Sequence, residues 1–244
     1  MAFVQSILQF INNPANAFGQ KTADTLILSL DAVLLAIVIS IPLGIIFARS
    51  PLAAFLATNV SGLARSIPTL AFLGLMIQVP GFGIGFKPSL FALTLLGIPP
   101  ILLNTVAGMR GVDPAVIDAA RGVGMTGWQT LLRVRIPLIL PVIAAGVRTS
   151  AVQIVATSPL AALIGGGTYG DYILQGLSGP AYVTELIVGA LGVAVLALLT
   201  EFGLAGVQRL VTPAGLRVSE GTQQSAEARQ DQSLDAPQGE SLAA

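Results

Sequence analysis

Five apolar stretches, each close to the ~20 residues that an α-helix needs to cross the hydrocarbon core of a bilayer, dominate what this chain can become. They cover residues 25–48, 60–79, 89–109, 137 or 141 to 164, and 184–211. A soluble chain of this length could not hide them. Only 10% of its 244 residues are charged and 54% are hydrophobic, whereas an ordinary soluble domain carries roughly 25% charged residues. The expected fold class is an all-α membrane protein with five transmembrane helices. Asp24 precedes the first stretch as a candidate N-cap. Pro42, the pair Pro99 and Pro100, and Pro159 fall inside stretches and are expected to kink them.

Lys and Arg set the orientation. One set of connecting segments holds Arg49, Arg65, Arg110, Arg121, Arg133, Arg135, Arg209, Arg217 and Arg229; the other holds only Lys21 and Lys87. The Arg-rich side is expected to be cytoplasmic, with the N-terminus out and the C-terminus in. Residues 1–23 read as an interfacial segment, with Phe3, Ile7, Leu8, Phe10 and Ile11 on one helix face. Residues 24–211 read as the five-span domain. Residues 212–244 are polar, without aromatics or periodicity, and are expected to form a disordered cytoplasmic tail.

Composition excludes several chemistries. The net charge is zero, which disfavours a nucleic-acid partner. Cysteine and histidine are absent, so thiolate metal sites, disulfides and imidazole proton relays are unavailable and no metal site is expected. No cofactor is expected in this chain. The run G-x-x-x-x-G-K-[ST] does not occur, and "GMTGWQT" and "IGGGTYG" are Gly-rich without the lysine that phosphate binding needs. Residues 165–170 read instead as a tight external turn between the fourth and fifth spans.

The anomaly is the polar segment 110–136. It begins "RGVDPAVIDAARGVGMTGWQ" and carries Arg110, Arg121, Arg133 and Arg135. Asp113 followed by Pro114 starts a helix, and Gly122 and Gly124 end it. Thr126 and Gln129 have capping-box spacing and open a second helix to about Arg133. Neither helix can span a bilayer, and both are too short to be stable alone in water. Val116, Ile117, Trp128, Leu131 and Leu132 would form an exposed apolar face. Either a cytoplasmic protein covers it, or the pair lies on lipid headgroups.

This segment resembles the signature of binding-protein-dependent ABC importer permeases: Glu-Ala-Ala, three residues, Gly, nine residues, Ile-x-Leu-Pro. Here it reads Asp118-Ala119-Ala120, three residues, Gly124, nine residues, Val134-Arg135-Ile136-Pro137. The resemblance implies a bacterial cytoplasmic (inner) membrane subunit with a cytoplasmic coupling-helix pair between the third and fourth spans. Asp118, Ala119, Ala120, Gly124 and Trp128 would contact a separate ATPase subunit, which holds the ATP and Mg. The other implied partners are a substrate-binding protein and a second permease copy or paralogue, all within membrane lipid. The stretches 65–77, 97–126, 140–152 and 161–173 look like the osmoprotectant branch, which moves glycine betaine, carnitine or choline. Methionine and sulfonate permeases share the five-span core and stand as the alternative. "GGGTYGD" departs from the wording usual in the osmoprotectant branch.

Polar groups inside apolar spans are costly and so are candidates for function. Asp31, Gln78, Asn104, Arg148, Gln153, Thr157 and Ser158 form this set. They either line a translocation path or act as interhelical glue, with Arg148 snorkelling or pairing with backbone carbonyls. Gly189, Gly192, Gly203 and Gly206 permit close helix approach in the last span. The competing classes are a self-contained secondary carrier, for which Asp31 is the one clear coupling carboxylate, and a membrane scaffold without transport.

Overall fold

The computed structural model describes residues 2–211, and the expected tail over 212–244 lies outside them. Among the described residues every regular element is helical. α1 (Ala2–Asn12) leads through a 3-10 turn into α2 (Phe18–Phe47), with Ala17 in the left-handed region at φ 50° between them. Asp24 therefore sits in the second turn of α2 and caps nothing.

The expected second span is divided. α3 (Pro51–Ser66) stops before Pro68, and α4 (Thr69–Ile77) starts after it. Pro68 lacks an N–H and disfavours helical backbone in the residue before it. Its own ψ of 133° is extended, and its carbonyl accepts the Ala71 N–H at 2.8 Å to open α4. α5 (Phe86–Gly111) is continuous through Pro99 and Pro100.

After α6 (Pro114–Gly122) comes α7 (Gly127–Thr130). It does not end as a separate short helix near Arg133. It runs through a π-helical stretch, Leu131–Arg135, directly into α8 (Ile136–Thr157), which tightens to 3-10 geometry over Ser158–Ile164. Nor is 165–170 a simple turn into the last span. The chain turns at Gly165 and Gly167, both with positive φ. It then forms α9 (Gly170–Gly176), a further 3-10 turn and α10 (Val183–Val211). Among the described residues, four helical segments are long and apolar enough to cross a membrane: Pro14–Phe47, Phe86–Gly111, Gly127–Ile164 and Val183–Leu210.

α5 is the central element. It packs on α2, α3, α4 and α8, while α10 packs on α8 and α9. The main core joins Leu28, Ala32 and Val33 of α2 to Leu93 and Leu96 of α5 and Ala151 and Ile154 of α8. Gly97 marks a close crossing in this core: a Cβ there would lie 2.6 Å from Ile154 Cδ1 and 2.7 Å from Ser150 Oγ. Hydroxyls reinforce it, with Ser150 donating to the Gly97 carbonyl at 2.9 Å and Ser40 to the Ile98 carbonyl at 3.2 Å. Small residues and interhelical hydrogen bonds are what hold helices together where lipid removes the hydrophobic drive. The outside is correspondingly oily, as on α10, where Leu198, Leu199, Phe202, Val207 and Leu210 are exposed.

Candidate functional site between α5 and α8

The segment between α5 and α8 is built from local instructions. Asp113 accepts the Ala115 N–H at 2.8 Å, with Pro114 in the first turn of α6. α6 ends where Gly124 takes φ +83° and Met125 donates back to the Ala120 carbonyl at 3.1 Å. A capping box then opens α7: the Gln129 N–H donates to Thr126 Oγ1 at 3.3 Å, and the Thr126 N–H donates to Gln129 Oε1 at 2.9 Å. Both caps stand where the sequence places them.

Of the signature residues, Asp118, Ala119 and Gly124 are exposed and Ala120 is buried. Among the described residues Asp118 pairs with Arg121 alone, at 3.5 Å, and both side chains are largely in the open. Trp128, with 64% of its surface exposed, is the largest open side chain on this face. The apolar face differs from expectation. Leu131 is buried with Met109, Ile139 and Ile143, and Ile117 is half-buried. Val116, Val123, Trp128 and Leu132 are what remain open. Leu131 turns inward because α7 continues into α8 and its face must close the bundle.

Beside Trp128 lies a cavity of about 360 Å³ lined by Arg49, Arg121 and Arg135 over Met109, Ile117 and Leu131. Three guanidiniums above an apolar floor suit a partner offering carboxylates beside apolar side chains. Arg49 arrives from the corner after α2, a convergence that linear spacing does not reveal.

The candidates within the spans do not converge. Among the described residues no side-chain-to-side-chain hydrogen bond joins any two of the seven. Asn104 donates to the Pro100 carbonyl of its own helix at 2.8 Å. Thr157 bonds back to the carbonyls of Gln153 and Ile154, and Ser158 to that of Val155 at 2.8 Å. Gln78 is exposed at the end of α4, and Gln153 is half-buried. Asp31 is half-buried with no ion-pair partner among the described residues. Arg148 forms an ion pair with Glu201 of α10 and a 3.4 Å bond to Gln208. Glu201 was missed by the sequence reading, although it is the one charged residue between 186 and 208. Asp31 is thus not the sole intramembrane carboxylate. Gly189 and Gly192 close against Tyr169, Tyr172 and Ile173 within the chain, while Gly203 and Gly206 have open space beside them.

An inward-facing MetNI methionine ABC transporter superposes with a TM-score of 0.69, covering 80% of this chain and 95% of that chain, at 22% identity; this likeness speaks for the fold alone. The carnitine transport permease protein OpuCB of Listeria monocytogenes is 39% identical over 88% of this chain and 97% of its own length. The glycine betaine/carnitine/choline transport system permease protein OpuCB of Bacillus subtilis is 37% identical over the same shares. The osmoprotectant import permease protein OsmW of Salmonella typhimurium is 41% identical over 76% of this chain and 87% of its own length. Residues 40–214 match the family described as binding-protein-dependent transport system inner membrane component. That range takes in the capped α6–α7 segment and the crossings around it, and the chain belongs to this family of ABC transporter permeases, as a multi-pass component of the bacterial cytoplasmic membrane.

Proposed function

We propose that this chain forms the translocation path of an ATP-driven importer for quaternary-amine osmoprotectants of the glycine betaine, carnitine and choline class. The observation that carries the reading is near-full-length similarity to permeases with those names. The α6–α7 segment, capped internally and open to a partner, supports it. α3 and α4 together make the second of five crossings, broken at Pro68. The N-terminus lies outside, and α6, α7 and the residues after α10 lie in the cytoplasm.

The chain carries no ATPase of its own. ATP and Mg bind a partner subunit, which grips Asp118, Ala119, Ala120, Gly124 and Trp128 and inserts acidic and apolar side chains into the arginine-lined cavity. Two permease chains, identical or paralogous, surround the path within the lipid, and ATP binding shifts them between two states. Asp31, Gln78, Asn104, Gln153, Thr157 and Ser158 are the candidates for lining that path. Their dispersal fits a weak path, with selection left to a soluble binding protein.

The test is a binding screen on the cognate binding protein with betaine, choline, carnitine, methionine and taurine, followed by uptake into vesicles holding permease, ATPase and binding protein. A quaternary amine should bind and enter only with ATP. Preference for methionine or taurine would overturn the substrate class. Uptake without ATP would overturn the importer itself.

A further inference from the structure

α7, the π-helical stretch and α8 belong to one helical segment, Gly127–Ile164. A push on Trp128 is thus carried to Arg148, about 30 Å further along at 1.5 Å per residue. What obliges α10 to follow is a pair of polar rungs. Arg148 Nε donates to Glu201 Oε1 at 2.9 Å, its Nη2 donates to the same oxygen, and its Nη1 donates to Gln208 Oε1 at 3.4 Å. Gln208 Nε2 donates to the Pro141 carbonyl at 3.4 Å.

Pro141 and Arg148 are seven residues apart on α8; Glu201 and Gln208 are seven apart on α10. Two turns separate the rungs on each helix, so both lie on the faces where these antiparallel helices meet. Both helices belong to apolar segments long enough to cross a membrane. Leu204, between the rungs, packs on the α2–α5–α8 core. A charge in such a setting is expensive unless its partner stays in register. Sliding α8 past α10 would separate Arg148 from Glu201, whereas sliding one leucine past another would cost little.

We infer that Arg148 and Glu201, with Gln208, are positioning residues that make α10 move with α8 when the ATPase moves α7. They act on the path through helix register and do not contact the substrate. This rests on the permease reading above.

The test uses the full complex of permease, ATPase and binding protein in vesicles, measuring uptake and ATP hydrolysis together. Arg148→Glu and Glu201→Arg should each assemble and hydrolyse ATP near the wild-type rate, while uptake per ATP falls roughly tenfold, within the usual range of coupling energies. The double swap R148E/E201R should recover most of that ratio. An unchanged ratio in the single variants, or a swap no better than they are, overturns the inference. If a reversal variant fails to insert, Arg148→Gln and Glu201→Gln provide the same readout, and an unchanged ratio again overturns it. A wild-type complex without ATP-dependent uptake would instead sink the permease reading.

Discussion

The two ends of α8 are held in opposite ways. At the α9 end the bonds join residues far apart in sequence. Lys21 pairs with Asp171, the Tyr169 N–H donates to Thr25 Oγ1 at 3.2 Å, and the Thr22 and Tyr169 hydroxyls share a hydrogen bond. The Tyr172 hydroxyl donates to the Asn16 carbonyl, and Phe10 stands edge-on to Tyr172 at 5.3 Å. Burial, with Tyr169 and Asp171 close by, pushes the Tyr172 phenol up to about 12. At the α6–α7 end the side-chain bonds of the helix pair reach only two to four residues along the chain. Their caps satisfy the backbone, and their outer faces are left open. The difference teaches which end is finished. The α9 end is tied together by contacts that reach across this chain; the α6–α7 pair is tied only locally and keeps its outer face open.

The sharpest way to break this contrast is a change at Gly170. A Cβ there would fall 1.9 Å from the Pro159 carbonyl oxygen and 2.7 Å from Ala162 Cβ. Backbone cannot yield as a flexible side chain would, so Gly170→Ala should cost at least the ~3 kcal/mol at the upper end of ordinary overpacking. The amount of protein in the membrane fraction should fall several-fold or more, by roughly the dependence of abundance on stability. Quantitative immunoblotting reads it. A normal level would mean that the α9 end is looser than its contacts indicate.

Gly124 is the counterpart at the other end. Nothing lies within 4 Å of its absent Cβ, but its φ is +83°. Left-handed backbone costs an L-residue about 1–2 kcal/mol, and more with a branched Cβ. Gly124→Val should therefore re-aim α6 relative to α7 without disturbing the bundle. The expected result is protein at a near-normal level, with ATP-dependent uptake reduced by roughly tenfold or more. Gly124→Asn, which tolerates this conformation, should retain most of the activity. Normal uptake in the Val variant would remove α6 and α7 from coupling. A collapse in protein level like that of Gly170→Ala would erase the contrast between the ends.

The same contrast explains what could be read before the fold was known. Caps, turns and apolar runs act over a few residues, so Asp113, the Thr126–Gln129 box and the long spans were legible. Pro68 was not among the prolines expected to bend a span, and whether a proline breaks a helix depends on whether neighbours restore it, as they do around Pro99 and Pro100 and do not here. That α7 continues into α8, with Leu131 packed on Met109 and Ile139, depends on residues distant in sequence and is encoded in no local pattern. Glu201 had a signal, a lone carboxylate in an oily run, yet its meaning required Arg148, 53 residues earlier. The arginine cavity needed Arg49 to arrive from α2. Long-range pairing was the part that sequence order concealed, and the α9 end consists largely of it.

The smallest expected effect tests whether that closed end depends on any one link. Lys21 and Asp171 keep 25% and 35% of their side-chain surface exposed, so water and salt screen the pair, and such pairs contribute about 1 kcal/mol or less. Lys21→Ala should lower the melting temperature by no more than about 2–4 °C for a chain of this size. The difference should shrink in high salt, and uptake should be unchanged, because the tyrosine bonds and ring contacts still hold α9 to α2. A thermal-shift series at low and high salt measures it. A much larger drop would mean that the ion pair, and not the redundancy of many distant contacts, closes this end, and the two ends would then differ in strength but not in kind.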